Sequence, residues 1–176
     1  MHKPILQGST VLLRPLGAAD TQAVMDGLSD AETNRLTGTV NGFTYEKVLD
    51  HYTRIETAPD RIDFGIEEDG ALVGETILSS IGGGSAVFRI AIWEKSARDR
   101  GLGTEAMALV FGHGFDTLDL RRITLEVYAF NPRAIHIYRK FGFRQTGHIP
   151  DALIWDGEPV DALEMTLTAQ DYRRLG

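Results

Sequence analysis

The chain contains no cysteine among its 176 residues. This absence excludes structural disulfides, zinc sites built on thiolates, and enzymes that form a covalent intermediate on a cysteine nucleophile. A cysteine-free chain fits a reducing compartment, so we expect a cytoplasmic protein.

Long apolar segments are also lacking. The most apolar run, residues 71–81, includes Glu75 and two serines and is far shorter than a membrane span. Residues 1–8 form a short polar tail without the apolar core of a signal peptide. We therefore expect one domain over residues 1–176 and no membrane partner.

Positive charge is scarce as well, because 18 lysines and arginines stand against 25 aspartates and glutamates, for a formal net charge of −7. Proteins that bind nucleic acid nonspecifically need a basic surface, so no nucleic-acid partner is expected. The negative charge favours a cationic partner such as an amine or a basic peptide, with simple solubility as the alternative interpretation.

The apolar periodicity that is present predicts a mixed α/β (α+β) fold with a central crossover. The predicted strands span residues 10–15, 61–67, 71–80, 86–93, 122–130, 143–155 and 159–167, and the predicted helices span residues 21–28, 45–55, 103–118 and 131–141. Asp20, Thr44 and Asn131 are predicted to cap three of these helices. Asn41 and Gly42 indicate a polar loop.

The segment Arg98-Asp-Arg-Gly-Leu-Gly-Thr104 joins a predicted strand to a predicted helix. Glycines at such a junction let the backbone expose several N–H groups, and the partly positive helix N-terminus points at the same place. This arrangement predicts a binding site for a phosphorylated ligand. A Rossmann fingerprint would need a third glycine after the first strand, and a P-loop would need Gly-Lys-Ser/Thr, so neither is indicated.

Two motifs at this spacing resemble the GCN5-related N-acetyltransferase (GNAT) superfamily. The family signature, Arg/Gln-x-x-Gly-x-Gly/Ala, is met by Arg98, Gly101 and Gly103. A second motif runs from Asn131 through Tyr138 to Gly142-Phe143. The chain is most similar to the branch of ribosomal-protein N-terminal and spermidine acetyltransferases. The resemblance implies a mixed sheet of about seven strands, splayed between the fourth and fifth, with about four flanking helices.

The resemblance also implies acetyl-CoA as cosubstrate and no metal. The pyrophosphate would bind the loop and helix N-terminus, and the pantetheine arm would lie along residues 90–92. The implied cofactor-binding residues are Ile90, Ala91, Ile92, Arg98, Asp99, Arg100, Gly101, Leu102, Gly103, Thr104, Asn131 and Tyr138. The side chains of Arg98 and Arg100 are expected to add charge attraction, and Tyr138 is implied as the proton donor to the departing thiolate.

The general base is the least defined catalytic group. An alkylamine with a pKa near about 10.4 is almost entirely protonated at neutral pH, so a base helps the reaction. Relatives often carry a glutamate before the loop, but residues 86–89 contain no carboxylate, which leaves Glu75 and Glu126 as candidates. Arg89, in a central predicted strand, needs a partner, for which Glu75 is the candidate. The charge of Arg89 argues against a polyamine acceptor.

Two functions are consistent with these features. The first is an enzyme that transfers an acetyl group to a primary amine, either a protein N-terminus or a small molecule such as a polyamine, by direct attack in a ternary complex. The second is a CoA-binding regulatory or interaction module without turnover, which the missing carboxylate allows. Residues 29–57 and the loop around Pro150 are expected to shape the choice of acceptor. Relatives are often dimers, so a homodimer is a further expectation.

Overall fold

Eight strands form one mixed sheet in a computed structural model that describes residues 2–39 and 43–175. The strands are β1 (Leu6–Gln7), β2 (Leu12–Pro15), β3 (Ile62–Glu68), β4 (Ala71–Gly82), β5 (Ser85–Ile92), β6 (Arg122–Tyr128), β7 (Arg144–Trp155) and β8 (Glu158–Thr168). Their order across the sheet is β1-β2-β3-β4-β5-β6-β8-β7. Neighbouring strands are antiparallel except for β5 and β6, which are parallel.

The pairing of β5 with β6 ends after three residue pairs. Ser85, Ala86 and Val87 pair with Arg122, Ile123 and Thr124, and beyond them the two strands separate. This confirms the predicted splay between the fourth and fifth predicted strands. The mixed α/β class is confirmed as well, although the sheet has one strand more than expected because β1, with only two residues, carries too little pattern to detect.

Six α-helices lie on the two faces of the sheet. They are α1 (Thr21–Gly27), α2 (Ala31–Thr37), α3 (Tyr45–Ile55), α4 (Leu102–Gly112), α5 (Pro132–Lys140) and α6 (Ala169–Leu175). The larger core joins apolar residues of α4 and α5 to the sheet, with Phe88, Phe111 and Ile123 among its buried members. A smaller core beneath α1 and α3 contains Val48 and Trp93. No helix in the described ranges is long and apolar enough to cross a membrane.

Local signals place several elements as predicted. Thr44 Oγ1 accepts a hydrogen bond from the Lys47 N–H at 3.3 Å and begins α3, and Asn131 Oδ1 accepts one from the Ala134 N–H at 3.1 Å and begins α5. Gly142, with φ of 89°, follows the last turn of α5. Only glycine adopts this left-handed conformation without strain, which explains the helix stop.

Several local features differ from the predictions, and the α-helices in the described part of the chain number six instead of about four because neither α2 nor α6 was predicted. Asp20 does not cap α1, because its carboxylate accepts hydrogen bonds from the guanidinium of Arg14 and from the Gly17 N–H instead. Helix α2 was not predicted, although Asp30 accepts a hydrogen bond from the Thr33 N–H at 3.0 Å and caps it. The predicted loop residues Asn41 and Gly42 lie outside the described residues.

Candidate active site

The space where β5 and β6 separate forms a cleft, called here the splay cleft, that brings together most of the predicted cofactor-binding residues. Those that line it are Ile90, Ala91, Ile92, Arg98, Asp99, Gly101, Leu102, Gly103, Thr104, Asn131 and Tyr138. Arg100 does not line it, and its guanidinium forms two hydrogen bonds of 2.7 Å to the carboxylate of Glu68. The topology therefore gathers two sequence motifs that lie about thirty residues apart, as a crossover connection does.

The N-terminus of α4 opens onto the splay cleft without a side-chain cap. Gly101 stands at the cap position with φ of 86°, and no side chain accepts from the first turn. The N–H groups of Leu102, Gly103 and Thr104 find no hydrogen-bond acceptor within residues 2–39 and 43–175. Unpaired amides at the positive end of a helix suit a phosphate group, so these residues fit the pyrophosphate of CoA.

The charged side chains of the loop are engaged within the protein. Arg98 donates to Asp30, to Glu32 Oε2 at 2.7 Å, to Thr33 Oγ1 at 2.7 Å and to the carbonyl of Trp93 at 3.0 Å. Burial would raise the pKa of Asp30, yet the hydrogen bonds from Thr33 and Arg98 hold it well below its ordinary value. Both arginines thus form ion pairs within the protein, and the side-chain attraction expected of them stays a prediction, as does cofactor binding through the loop backbone.

The edge of β5 beyond Val87 faces the splay cleft instead of β6. An open strand edge of this kind can pair with the amides of an extended ligand. The carbonyl of Ile92 is already used, because it accepts from Arg98 Nε at 3.2 Å and from Thr33 Oγ1 at 3.3 Å. The backbone of Ile90 points to the same side as that of Ile92 and stays open, whereas Ala91 turns its backbone towards β4, as Trp93 does when its N–H donates to the carbonyl of Val73 at 2.9 Å.

Tyr138 projects from α5 into the same cleft. Its side chain is 8% exposed, and its ring packs against Phe88 and Phe143 with centroids 6.4 and 5.8 Å away. Burial raises the pKa of the hydroxyl to about 12, while the charge of Arg89 acts in the opposite direction. The hydroxyl makes no hydrogen bond to any described residue and is protonated at neutral pH, so it is free to donate a proton into the cleft.

A second cavity, called here the α3 cavity, lies between α3 and strands β3 to β5. Its lining includes Lys47, Asp50, His51, Tyr52, Arg54, Arg61, Asp63, Glu75, Ile77 and Arg89, around a volume of about 1010 Å³. This is large enough for a small-molecule ligand. Arg89 lines both this cavity and the splay cleft, which makes it the point where the two spaces meet.

Glu75 is a half-buried carboxyl group in the α3 cavity. It accepts a hydrogen bond of 2.7 Å from the hydroxyl of Tyr52, which is 4% exposed and lies on the buried face of α3. Burial raises the pKa of Glu75, and the hydrogen bond from Tyr52 and the charge of Arg89 offset only part of this effect. A carboxyl group with a raised pKa is a stronger base than an exposed one.

The two candidate bases thus lie in different places. Glu126 is exposed on β6 and lines the splay cleft, whereas Glu75 faces the α3 cavity. The expected partnership of Arg89 with Glu75 is absent, since no ion pair joins them in the described part of the chain. The register explains why: Glu75 is opposite Ala91, and Arg89 is opposite Ile77, so the two are diagonal neighbours. Tyr52 takes the place that Arg89 was expected to fill.

Sequence reasoning missed Tyr52 and Thr33. Tyr52 lies four residues after Val48 and three before Ile55 on the buried face of α3, and a tyrosine in such a row was a detectable signal. Thr33 lies on α2, which was not predicted, and it reaches both Arg98 and the carbonyl of Ile92.

Comparison with known proteins gives a family match over most of the chain. Residues 10–144 match the family model described as the Acetyltransferase (GNAT) domain. The spermidine N(1)-acetyltransferase of Escherichia coli (strain K12) is 29% identical over 165 residues, which are 93% of this chain and 88% of the relative. A Bacillus subtilis (strain 168) protein named Probable N-acetyltransferase YjcK is 28% identical over 159 residues, 81% of this chain and 85% of the relative.

Solved structures share the fold. The spermidine N-acetyltransferase from Vibrio cholerae, in complex with CoA and spermine, has a TM-score of 0.87 and 22% identity, and the alignment covers 94% of this chain and 99% of that one. A GCN5-related N-acetyltransferase from Brucella melitensis has a TM-score of 0.81 and 20% identity, and the alignment covers 99% of this chain and 83% of that one. At these identities the likeness shows that the fold expected from the two motifs is correct.

Proposed function

Because this chain belongs to the GNAT acetyltransferase family, it is an acetyl-CoA-dependent N-acetyltransferase, and we propose that its acceptor is the primary amine of a small molecule bound in the α3 cavity. The observation that carries the proposal is the position of Arg89, which lines both the splay cleft and the α3 cavity. Two ligands that bind on either side of this residue meet beside it. An acetyl group held on one side can then pass directly to an amine held on the other.

We assign the splay cleft to acetyl-CoA, which supplies the reaction with a thioester. The unpaired N–H groups of Leu102, Gly103 and Thr104 would hold the pyrophosphate, and the free edge of β5 would hold the pantetheine amides. The chain has no cysteine to form a thioester acyl-enzyme, and we assign the transfer to direct attack of the amine on the thioester of acetyl-CoA.

We assign the base to Glu75. An alkylamine is almost entirely protonated at neutral pH, and its neutral form is about one part in 10³, so removing the proton is worth roughly 4–5 kcal/mol. The carboxylate of Glu75 lies beside the meeting point of the two spaces, and the hydrogen bond from Tyr52 fixes its orientation. Its raised pKa makes it a better proton acceptor than an ordinary glutamate.

We assign the acid to Tyr138. As the amine attacks, the sulfur of the departing thiolate needs a proton, and the hydroxyl of Tyr138 is protonated and unpaired in the splay cleft. The ring is fixed between Phe88 and Phe143, so the hydroxyl keeps one position. A fixed donor costs little reorganisation during the reaction.

Replacing Glu75 by glutamine tests the assignment of the base. Glutamine can still accept the hydrogen bond from Tyr52 but cannot take a proton, so kcat/KM should fall by about 100-fold or more. Wild-type kcat/KM should fall as the pH drops through the raised pKa of Glu75, and this acid limb should vanish in the variant. Free-thiol release against a panel of amines measures both effects.

Glu126→Gln is the matched control, because Glu126 is exposed and lies outside the α3 cavity. It should change kcat/KM by less than about threefold. Measuring the free energy of unfolding separates a loss of catalysis from a loss of folding. A carboxyl group whose pKa is higher in the folded protein than in the unfolded chain, where it is about 4.3, destabilises the fold at every pH above that unfolded value. Glu75→Gln should therefore be at least as stable as the wild type at pH 7. A larger activity loss in Glu126→Gln would move the base to Glu126.

Several finer expectations remain predictions. The names of the relatives support a polyamine as one acceptor to test, and a protein N-terminus is another. The cytoplasmic location rests on the absence of cysteine, and the homodimer rests on the resemblance alone. Assays with an amine panel that includes spermidine and basic peptides distinguish the two acceptor classes, and light scattering tests the homodimer.

A further inference from the structure

The α3 cavity carries three basic side chains without acidic partners. Lys47 and Arg54 project from α3, and Arg89 projects from β5. Within residues 2–39 and 43–175, none of the three forms an ion pair or a side-chain hydrogen bond. Unpaired cations around a cavity attract an anionic group, and Arg89 offers the planar, two-pronged geometry that matches a carboxylate.

The acidic side chains of the same cavity are mostly occupied. Asp63, 1% exposed, accepts hydrogen bonds from Arg61 Nε at 2.6 Å and from a terminal nitrogen of Arg61 at 2.8 Å. Glu75 is bonded to Tyr52, and only Asp50, exposed on α3, has no partner in the described chain.

The charge of the cavity is therefore opposite to that of the whole chain. Its lining contains four basic side chains, Lys47, Arg54, Arg61 and Arg89, and three acidic ones, Asp50, Asp63 and Glu75. The complete chain has a formal net charge of −7. A polyamine that carries several positive charges would meet a slightly positive lining, and like charges facing each other across an interface cost free energy.

The arrangement of Glu75 and Arg89 defines where the two ends of a ligand would bind. The two residues are on the same face of adjacent strands, as diagonal neighbours whose Cα atoms are typically about 7–8 Å apart. They do not pair with each other, and the space between them opens to the cavity. A small molecule with an amine at one end and a carboxylate at the other can reach both groups at once.

We propose that the acceptor is an aminocarboxylate, an amine that also carries a carboxylate group, and that Arg89 selects it by pairing with the carboxylate. Glu75 faces the amine, and Lys47 and Arg54 add attraction at the mouth of the cavity. This inference rests on the proposed function, since it takes the α3 cavity as the acceptor site. It assigns to Arg89 the discrimination between this acceptor class and polyamines.

The test compares acceptors with and without a carboxylate group. Free-thiol release from acetyl-CoA is measured with a set of amino acids, with the amide of each one, and with spermidine. The wild type should show kcat/KM at least about tenfold higher for the carboxylate than for its amide. Arg89→Gln should bring that ratio to within about threefold of one, and Arg89→Lys should keep part of it.

Arg122→Gln is the matched control, because Arg122 is an exposed arginine on the next strand and lines neither cavity. It should retain the wild-type ratio. The proposal would be overturned if spermidine were a better substrate than every aminocarboxylate. It would also be overturned if Arg89→Gln left the carboxylate-to-amide ratio of kcat/KM unchanged.

Binding separates this inference from the proposed function. The same pairs are titrated by calorimetry into the CoA-bound protein, where turnover is not needed. If the wild type binds the carboxylates but not their amides, and Arg89→Gln loses this preference, the role of Arg89 is supported. That conclusion holds even if none of these acceptors is acetylated, a result that would reject only the proposed function. Equal binding of carboxylates and amides would reject the role of Arg89 even if both are acetylated.

Discussion

Replacing Gly103 by glutamate should weaken CoA binding strongly while the protein stays folded. Gly103 is the second residue of α4 and lines the splay cleft beside the unpaired first-turn amides. A Cβ atom there would lie 3.6 Å from Ile92 Cγ1 and 3.9 Å from Ile90 Cδ1, which is ordinary van der Waals contact. The added side chain causes no clash within the protein, so its effect falls on the ligand.

The magnitude follows from three substitutions at the same position. Gly103→Ala should stabilise α4 by up to about 1 kcal/mol, or about 2–4 °C in Tm, and should keep CoA affinity within about threefold. Gly103→Gln adds bulk at the phosphate site. Gly103→Glu adds a charge, and one charge repels two phosphate charges by about 1.7 kcal/mol at a generic separation of about 5 Å in water, and more in a partly dry cleft.

In calorimetric titrations, CoA affinity should therefore be highest for Gly103→Ala, lower for Gly103→Gln and lowest for Gly103→Glu. The affinities of the last two variants should differ by at least about tenfold. Raising the salt concentration should narrow that last gap, because ions screen the repulsion. Normal CoA affinity in Gly103→Glu would refute the assignment of the pyrophosphate to this helix N-terminus. Gly101→Ala is a contrasting variant, because φ of 86° at that residue makes alanine strained without any ligand.

Two further predictions concern Tyr138 and Arg98. Tyr138→Phe keeps the ring packing and should lower kcat by about tenfold or more, on the order of 1.4 kcal/mol, with CoA affinity unchanged; an unaltered kcat would remove Tyr138 from the mechanism. Arg98→Gln should lower the free energy of unfolding by about 2 kcal/mol. The side chain of Arg98 is only 16% exposed, and its guanidinium forms an ion pair with Asp30 and a hydrogen bond to Thr33. Arg100→Gln, whose side chain is 52% exposed, should cost less than about 1 kcal/mol in the same urea unfolding experiment. Equal losses in the two arginine variants would contradict the structural role of Arg98.

The sequence predicts the parts of the fold that depend on neighbours in the chain. Asn131 caps α5 because its side chain accepts a hydrogen bond from an N–H three residues later. The predicted strands 61–67 and 71–80 are joined by a short turn, in which Asp69 and Gly70 both take positive φ. The loop at the start of α4 is equally local. These elements appear where the pattern places them, and they form the side of the site assigned to acetyl-CoA.

The α3 cavity depends on contacts between distant parts of the chain. Tyr52 and Glu75 are separated by 23 residues and meet only because α3 packs over the sheet. Whether Arg89 pairs with Glu75 depends on the register of β4 against β5, and a slip of one residue would put the two on opposite faces. Composition and periodicity do not determine that register, so the sequence named the right residues but paired them wrongly.

Arg98 has a structural role within the fold that the motif alone does not reveal. Its five N–H donors are the reason an arginine suits this position, because they reach α2 through Asp30, Glu32 and Thr33 and reach the end of β5 through two carbonyl oxygens. A lysine has three donors and could not satisfy the same set. Since Thr33 also lines the splay cleft, Arg98 fixes one wall of that cleft to the loop that precedes α4. The residue expected to attract phosphate therefore also fixes the loop whose backbone amides we assign to that task, and its own contact with the cofactor stays a prediction.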